Sequence, residues 1–490
     1  MSDIDLLIIG GGVNGAGTAR DAAGRGLSVT LCERHDLAGA TSSASSKLVH
    51  GGLRYLEQYE FRLVHESLAE REVLLAAAPH VIWPLRFVLP VHKGLRPPWM
   101  LRIGLFLYDH IGGRRSLPGT KSVRRASSKR LDPLQDAYRL GFEYSDCWAD
   151  DARLTALCAR DAADRGADIL VGWEAVAARR EGAAWVVDLR SEAGEIRQVR
   201  ARGVVNAAGP WVGEALKLSG ARADHAPRLV KGSHIVVRRL HDGDQAFTFQ
   251  NDDGRIAFVI PYERDFTLIG TTDIPYDGDP AAVHADDGEV AYLCELVSEY
   301  LKTPVAPADV VWRYSGVRPL YDDGGVSAST VTRDYVFDID APEGEAPMLS
   351  IFGGKLTTHR KLAEHALEKL QPLMGFKGEP WTAKAVLPGG DIPDFDAFAD
   401  AQVRKHSGLP EAVIRRLCRA YGTKIDAILA DGPGAEIAPG VFEAELRHMR
   451  DHEWARRGED ALWRRSKLGL HLSEAERDAV TEWFSRTPLP

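Results

Sequence analysis

The chain has 490 residues and a net charge of −9; 44% of it is hydrophobic and 27% charged. At roughly 150 residues per domain there is room for about three domains and a large core. That balance excludes a disordered tail, a collagen and a small disulfide-stapled scaffold, and the negative charge argues against a nucleic-acid binder. The five cysteines, Cys32, Cys147, Cys158, Cys294 and Cys418, form no Cys-x-x-Cys. No zinc or iron–sulfur site is expected, and an odd, scattered set suits a reducing compartment.

The opening MSDIDLLIIGGG has no basic n-region, and no apolar run approaches the roughly 20 residues that span a bilayer. A cytoplasmic protein without a spanning helix is expected. Residues 3–9 (DIDLLII) read as a buried parallel strand. They run into Gly10-Gly11-Gly12-Val13-Asn14-Gly15, a G-x-G-x-x-G, with a helix expected over 16–25. A second strand over 27–32 ends at Glu33, 18 residues after Gly15. Gly10 allows the tight turn, Gly12 lets the backbone approach a pyrophosphate, and Gly15 lets the helix pack on the strand. The helix N-terminus faces phosphate charge, and Glu33 accepts from ribose hydroxyls. A dinucleotide site is the expected result. The serine-rich loop from Thr41 to Lys47 continues without a break into 48–55, which fits poorly with a flexible linker.

Between residues 83 and 130, eleven Lys and Arg stand against one acid, Asp109. They are interleaved with Trp83, Phe87, Trp99, Phe106 and Tyr108. Cations mixed with aromatics suit the face of an anionic membrane, where each cation contributes about 1 kcal/mol. A solvated basic loop is the plainer alternative.

Two later stretches return to the nucleotide fold. Residues 204–211 (VVNAAGPW) form a strand running into a turn at Ala208-Gly209. Residues 348–358 (MLSIFGGKLTT) form a strand, a double glycine and the start of a helix expected through Leu370. Such interleaving favours FAD over NAD. A helix starting at Gly354 would aim its N–H groups at the N1–C2=O edge of a flavin, where charge collects on reduction.

Short apolar runs at 234–237, 257–260 and 266–269 read as antiparallel strands. Beyond the Pro/Gly-rich 383–393, helical patterns at 410–420, 424–430, 442–454, 459–465 and 474–484 show no chemistry. His448 and His452 have the i, i+4 spacing of a zinc pair, but Met449 stands where the glutamate of H-E-x-x-H belongs. They read as a solvated helix face, and no metal site is expected.

Residues 41–57 read TSSASSKLVHGGLRYLE. With KGSHIVV at 231–237, LIGTTD at 268–273, YSGVRPLYDD at 314–323, TRDY at 332–335, FGGKLTTHRKLAEHA at 352–366 and WRRSKLGL at 463–470, this closely resembles the FAD-dependent glycerol-3-phosphate dehydrogenases of the aerobic, membrane-associated type. The matches are collinear from residue 4 to about 470. His359 departs from an expected tyrosine and Ser466 from an expected threonine. There is no complete calcium-binding loop of the mitochondrial kind, and of the C-terminal cysteines of the anaerobic kind only Cys418 is present.

The resemblance implies an α/β fold of the glycine/D-amino-acid oxidase-like type. A Rossmann-like FAD-binding domain (1–79, 141–225 and 325–387) would be interleaved with a mostly antiparallel β-sheet substrate or cap domain (80–140 and 226–324). A helical C-terminal domain (388–490) would follow. It implies FAD, bound non-covalently, at Gly10, Gly12, Val13, Asn14, Gly15, Glu33, Arg34, Thr41, Ser42, Ser45, Lys47, Val176, Ala208, Gly209, Gly354, Lys355, Leu356 and Thr357.

It also implies oxidation of sn-glycerol 3-phosphate to dihydroxyacetone phosphate, with hydride passing from C2 to flavin N5 and electrons to a membrane quinone. That chemistry needs cations for a phosphate dianion, and Arg54, Arg318, Arg333 and Lys355 stand in the matched motifs. It needs a base near the alcohol. His234 is the first choice, with His50 as runner-up, because histidine titrates near neutrality. Each could equally be a core histidine satisfied by backbone. Arg318 joins the two histidines as a candidate catalytic residue, and Tyr55 and Thr271 are candidate partners of the substrate hydroxyls.

Peripheral binding to the cytoplasmic face of the membrane is the expected location, a homodimer is left open, and no nucleic-acid partner is expected. Three competitors share some of these features. A glycerol-phosphate oxidase would use dioxygen and make peroxide. An amine or amino-acid oxidoreductase would want one Arg for a carboxylate. A flavin-bearing membrane protein without turnover would not need the histidines.

Overall fold

A computed structural model of the chain describes residues 2–57, 60–113, 116–251, 255–321 and 334–487, with the side chains of Ser2, Arg54 and Glu57 outside that description. In chain order the strands begin with β1 (Ser2–Ile9), β2 (Val29–Glu33), β3 (Leu48–Val49), β4 (Ile82–Pro90), β5 (Lys121–Arg124), β6 (Leu140–Ala149), β7 (Asp168–Val171), β8 (Trp173–Glu181), β9 (Ala184–Ser191) and β10 (Ile196–Asn206). They continue with β11 (Pro227–Arg238), β12 (Ala246–Gln250), β13 (Ile256–Tyr262), β14 (Phe266–Gly270), β15 (Ile274–Pro275), β16 (Val310–Tyr321), β17 (Val336–Asp340) and β18 (Met348–Phe352).

The first sheet has the order β17-β18-β10-β1-β2-β7. The pairs from β18 to β7 are parallel, and β17 is antiparallel to β18. Leu6, Leu7 and Ile8 of β1 are fully buried. A parallel strand covered on both faces requires a continuous apolar run rather than alternation, and DIDLLII supplies it. Each such Leu or Ile contributes about 1.5–3 kcal/mol. The helix Val13–Gly24 lays Ala16, Ala19, Ala22 and Ala23 into the same core as Ala159 and Ala162 of the helix Asp151–Asp164. Small side chains on both helices allow a close approach. From β1 the chain winds one way to β2 and β7, and later returns to β10 and β18 on the other side. The order therefore reverses between β1 and β10, which opens a crevice at their C-terminal ends.

The second sheet has the order β15-β11-β14-β13-β12-β4-β6-β3, with β16 along β11 and β5 on β6. Its pairs are antiparallel except β12 on β4. The strands β3 and β6 pair into this sheet, although by number most of their residues fall within 1–79 and 141–225. Leu48, Phe142, Tyr144 and Trp148 of these strands join Phe87 and Tyr262 in the core of that sheet, while Val49, Cys147 and Ala149 face the core of the first.

The C-terminal helices Phe395–Lys405, Glu411–Tyr421, Glu443–Glu453 and Glu474–Arg486 close around Ile414, Leu417, Met449 and Phe484. The last begins with a reciprocal cap between Ser473 and Glu476. Buried ion pairs tie this unit to the first sheet. Arg465 grips Asp36 with two bonds of 2.7 and 2.9 Å, and Arg153 pairs with Glu453. Breaking such a pair from one side costs about 3–5 kcal/mol, because a buried charge is left alone.

The helix Pro98–Ile111 buries Leu105 and Tyr108 and leaves Trp99 62%, Ile103 53% and Phe106 59% exposed. Among the described residues no helix is long and apolar enough to cross a membrane, and no cluster of three metal-ligating side chains forms. The rings of His448 and His452 lie 5.0 Å apart, and His448 pairs with Glu453 at 3.5 Å.

Candidate active site

A cavity of about 1120 Å³ runs from the crevice between β1 and β10 to the face of the second sheet. It exceeds the roughly 300–1,000 Å³ of pockets for drug-sized ligands, so it has room for a larger ligand.

The crevice end is shaped by glycine. Gly10 has φ +111°, and a Cβ there would lie 2.5 Å from the Ala207 carbonyl oxygen. A Cβ on Gly15 would lie 2.0 Å from the Gly10 carbonyl oxygen. Neither position tolerates a side chain. The Val13 N–H, in the first turn of the helix, donates to Ser42 Oγ at 2.9 Å. Glu33 accepts from the Gly11 N–H (2.7 Å) and the His35 N–H (2.9 Å). Burial raises its pKa while these two bonds oppose the rise. A carboxylate has about four lone-pair sites, so two remain for hydroxyls. The Arg34 guanidinium lies over the Trp211 ring at 4.3 Å.

Asn14 Nδ2 donates to the Gly353 carbonyl, while Asn14 Oδ1 is buried with no hydrogen-bond partner among the described residues. An acceptor of this kind, beside a phosphate-type turn, fits a ligand that brings its own donors. The residues present therefore fit a dinucleotide cofactor.

The far end is built on one row of the second sheet. Phe258, Gly270, His234 and Tyr314 stand side by side on β13, β14, β11 and β16. The His234 ring stacks on Tyr314 at 4.9 Å with 14° between planes. Its Nε2 bonds Ser46 Oγ at 2.9 Å, and its Nδ1 is buried without a hydrogen-bond partner among the described residues. Burial, then Lys47 and Arg318, pushes the His234 pKa down to about 3. The imidazole is neutral and can accept a proton. An anion bound beside it would raise its basicity.

Arg318 lies two residues beyond Gly316 on the same face of β16 and pairs with Asp273 at 2.6 Å. Arg318 and Thr271 both converge on Gly232, where a Cβ would meet them at 2.7 and 2.8 Å. Lys355 Nζ lies 3.8 Å from the centre of the Tyr55 ring. The His50 N–H donates to Thr357 Oγ1 at 3.1 Å, and the His50 ring meets Phe258 edge-on at 6.1 Å.

The cavity thus brings together His50, Tyr55, His234, Thr271, Arg318 and Lys355 with Gly10, Gly12, Val13, Asn14, Glu33 and Arg34. Thr41, Ser42, Ser45, Ala208, Gly209, Gly354, Leu356 and Thr357 complete the expected lining. Three expected residues lie off it. Gly15 is inside the helix. Val176 is the extra residue of a bulge between Ala175 and Ala177, and its neighbour Ala175 lines the cavity instead. Lys47, at φ +57°, turns inward to Asp151 (2.8 Å) and the Ser43 carbonyl (3.0 Å), so it braces the serine loop from behind. Arg333 and the side chain of Arg54 lie outside the described residues.

Sequence reasoning missed Tyr314 and the C-terminal residues Glu459, Trp463 and Arg464, which also line the cavity. The WRRSKLGL motif was the available signal. The expected helix after Gly354 begins later, with a 3-10 turn at Leu356–Thr358 before His359–Met374.

A glycine turn that fits a dinucleotide and the cations Arg318 and Lys355 line one cavity, and the matching family is one of oxidoreductases that use a nucleotide cofactor. The chain belongs to the FAD dependent oxidoreductase family, whose model matches residues 5–360, and within it to the glycerol-3-phosphate dehydrogenase group. FAD is its cofactor. Residues 380–485 match the C-terminal domain of alpha-glycerophosphate oxidase. The chain is 50% identical to the aerobic glycerol-3-phosphate dehydrogenase of Escherichia coli, over 99% of this chain and 98% of that one. It is also 50% identical, with the same coverage, to the D-erythritol 1-phosphate dehydrogenase of Brucella abortus. The FAD complex of glycerol-3-phosphate dehydrogenase from Bacillus halodurans superimposes with a TM-score of 0.81 at 28% identity, covering 99% of this chain and 90% of that one.

Proposed function

We propose that the protein oxidises sn-glycerol 3-phosphate to dihydroxyacetone phosphate and passes the electrons to a membrane quinone. The observation that carries this reading is that Arg318, Thr271, His234 and Lys355 line the same cavity as the nucleotide-type glycine turn, with Arg318 and Thr271 converging on Gly232. FAD, when bound, supplies the hydride acceptor for C2. Arg318 and Lys355, with Arg54 and Arg333 from the same motifs, hold the phosphate dianion. Charge-assisted bonds to it are stronger than neutral ones. Thr271 and Tyr55 orient the hydroxyls. His234 takes the hydroxyl proton, with His50 as the second candidate. The low intrinsic basicity of His234 suits a group that must arrive neutral and gain basicity from the bound dianion.

Trp99, Ile103, Phe106 and Leu107 project from the helix Pro98–Ile111, flanked by Lys93, Arg96 and Arg102. This face lies on the anionic cytoplasmic leaflet in our reading. On its inner side Tyr108 accepts from the Gly51 N–H at 2.8 Å, next to His50, so the face is tied to the site.

A second substrate is favoured by the equal identity to an erythritol-phosphate enzyme. The deciding experiment is quinone-analogue reduction with glycerol 3-phosphate, D-erythritol 1-phosphate, glycerol and an amino-acid panel. The highest kcat/KM is expected for glycerol 3-phosphate, with no peroxide formed in air. A preference for D-erythritol 1-phosphate would move the substrate to a four-carbon polyol phosphate, and turnover of amino acids alone would overturn the reading.

A further inference from the structure

Trp463, in the π-helical turn Asp460–Arg465, reaches the cavity from the C-terminal unit. Its indole stacks on Trp312 of β16, with ring centres 4.8 Å apart and planes 29° apart. Trp312 lies against Tyr314 at 4.9 Å. Tyr314 lies nearly parallel to His234, again at 4.9 Å. Trp312 and Tyr314 are two residues apart on one strand, so both project from the same face. Tyr314 stands directly opposite His234 in the ladder. Four rings therefore run without a gap from the C-terminal unit to the proposed base.

The far end of this stack is held firmly. A Cβ on Gly469 would come within 2.5 Å of the Trp463 indole, so the ring lies flat on that glycine. The neighbouring Arg465 is fixed to Asp36 by two bonds and to the Glu453 carbonyl by two more, at 2.9 Å from Nε and 2.5 Å from Nη2. On its other side His234 is stopped by β14, where a Cβ on Gly270 would lie 2.1 Å from the imidazole. The ring is thus held between Tyr314 on one side and the Gly270 backbone on the other. Close-packed interiors transmit a shift instead of absorbing it.

We infer that Trp463 is a positioning residue for His234, acting through Trp312 and Tyr314, so that the C-terminal unit sets the placement of the proton acceptor. The inference rests on the reading of His234 as the base. The charged groups facing the imidazole are Lys47 from the serine loop and Arg318 from β16, themselves paired with Asp151 and Asp273; Tyr314 is the titratable neighbour on the strand. A misplacement near 1 Å can cost about 100-fold in rate.

The test uses the full-length FAD-loaded enzyme carrying Trp463→Leu, Trp463→Phe, Trp312→Leu or His234→Gln. Trp463→Leu should keep its FAD and a KM within about twofold, while kcat falls about tenfold or more. Its acid limb should move to higher pH, because a loosened imidazole regains water and its pKa rises toward the ordinary value. Trp463→Phe should recover most of the rate. Trp312→Leu interrupts the same stack inside the second sheet and should move the limb in the same direction, even if Trp463→Leu does not fold. An unmoved limb in Trp312→Leu overturns the inference. So does a Trp463→Leu enzyme of wild-type rate, or one whose loss excess FAD restores. If His234→Gln retains turnover, the reading of His234 fails and the inference falls with it. If His234→Gln is inactive while Trp463→Leu is unaffected, only the role of Trp463 falls.

Discussion

His234 and Gly270 face each other across β11 and β14, and the imidazole occupies the space a side chain at 270 would need: a Cβ there would lie 2.1 Å from the His234 Cδ2. The glycine in LIGTTD is therefore a seat for the proposed base. Gly270→Ala should push the ring off its Ser46 bond. We expect kcat to fall about 100-fold with FAD content unchanged. Steady-state kinetics beside a flavin spectrum checks this, and normal kcat in Gly270→Ala would show that the ring position does not limit the reaction.

Arg318 should act on the phosphate. A charge-assisted hydrogen bond contributes about 1.5–3 kcal/mol, so Arg318→Met should lower kcat/KM by about 10- to 100-fold or more while the protein keeps its FAD. Arg318→Lys should recover only part, because an ammonium cannot offer two parallel bonds. The measurement is kcat and KM for glycerol 3-phosphate. An Arg318→Met enzyme with an unchanged KM and kcat would remove Arg318 from the phosphate site.

The exposed face of the helix Pro98–Ile111 gives a prediction that leaves the fold alone. Phe106 is 59% exposed, so Phe106→Asp should change thermal stability by no more than about 0.5 kcal/mol. A Phe inserted into lipid contributes about 1.5–3 kcal/mol, so binding to anionic vesicles should drop about tenfold or more. Co-sedimentation at fixed salt reads this directly. A variant that pellets like wild type would mean the face does not meet lipid.

Stability should fall on the acid side of neutrality. Burial first of all pushes His80 and His234 down to about 3, and His241 and His359 to about 4. In the unfolded chain these groups titrate near the ordinary histidine value, about 6.5. Below that value the unfolded state binds more protons than the folded state, so stability is present above about pH 6.5 and is lost as pH falls toward 4. Each such histidine contributes a slope of about 1.4 kcal/mol per pH unit in that window. Replacing one with a group that does not titrate, as in His359→Gln, should flatten the slope by one proton's worth. Melting temperatures between pH 7.5 and about 5 test this against the ordinary histidine range; an unchanged slope in His359→Gln would mean His359 titrates alike in both states.

The crevice end of the site was legible because its signals are local. Residues 3 to 33 encode strand, turn, helix and acid within one short stretch, and all four are present in that order, with the helix beginning earlier, at Val13, and the second strand later, at Val29, than expected. The stacked row of Gly270, His234 and Tyr314 was not legible, because strand register joins residues 36 and 80 apart in sequence and no local pattern reports it. Lys47 was expected against FAD by resemblance, with the serine loop that carries it. Its direction depends on a left-handed backbone turn and on Asp151, about a hundred residues on. The WRRSKLGL motif marked Trp463, but its contact with Trp312 was not legible for the same reason: the two lie on different structural units. The helices of the C-terminal unit could be placed by their apolar period, but period says nothing about which residue at a helix end reaches a distant cavity.

The most direct test of the proposed activity is anaerobic mixing of the FAD-loaded enzyme with glycerol 3-phosphate while the visible flavin absorbance is followed. Rapid and complete bleaching by glycerol 3-phosphate, none by glycerol, and recovery on adding a quinone analogue are the predicted results. Full FAD occupancy with no bleaching by glycerol 3-phosphate would contradict the assignment of Arg318, Thr271 and His234 to a phosphorylated triol.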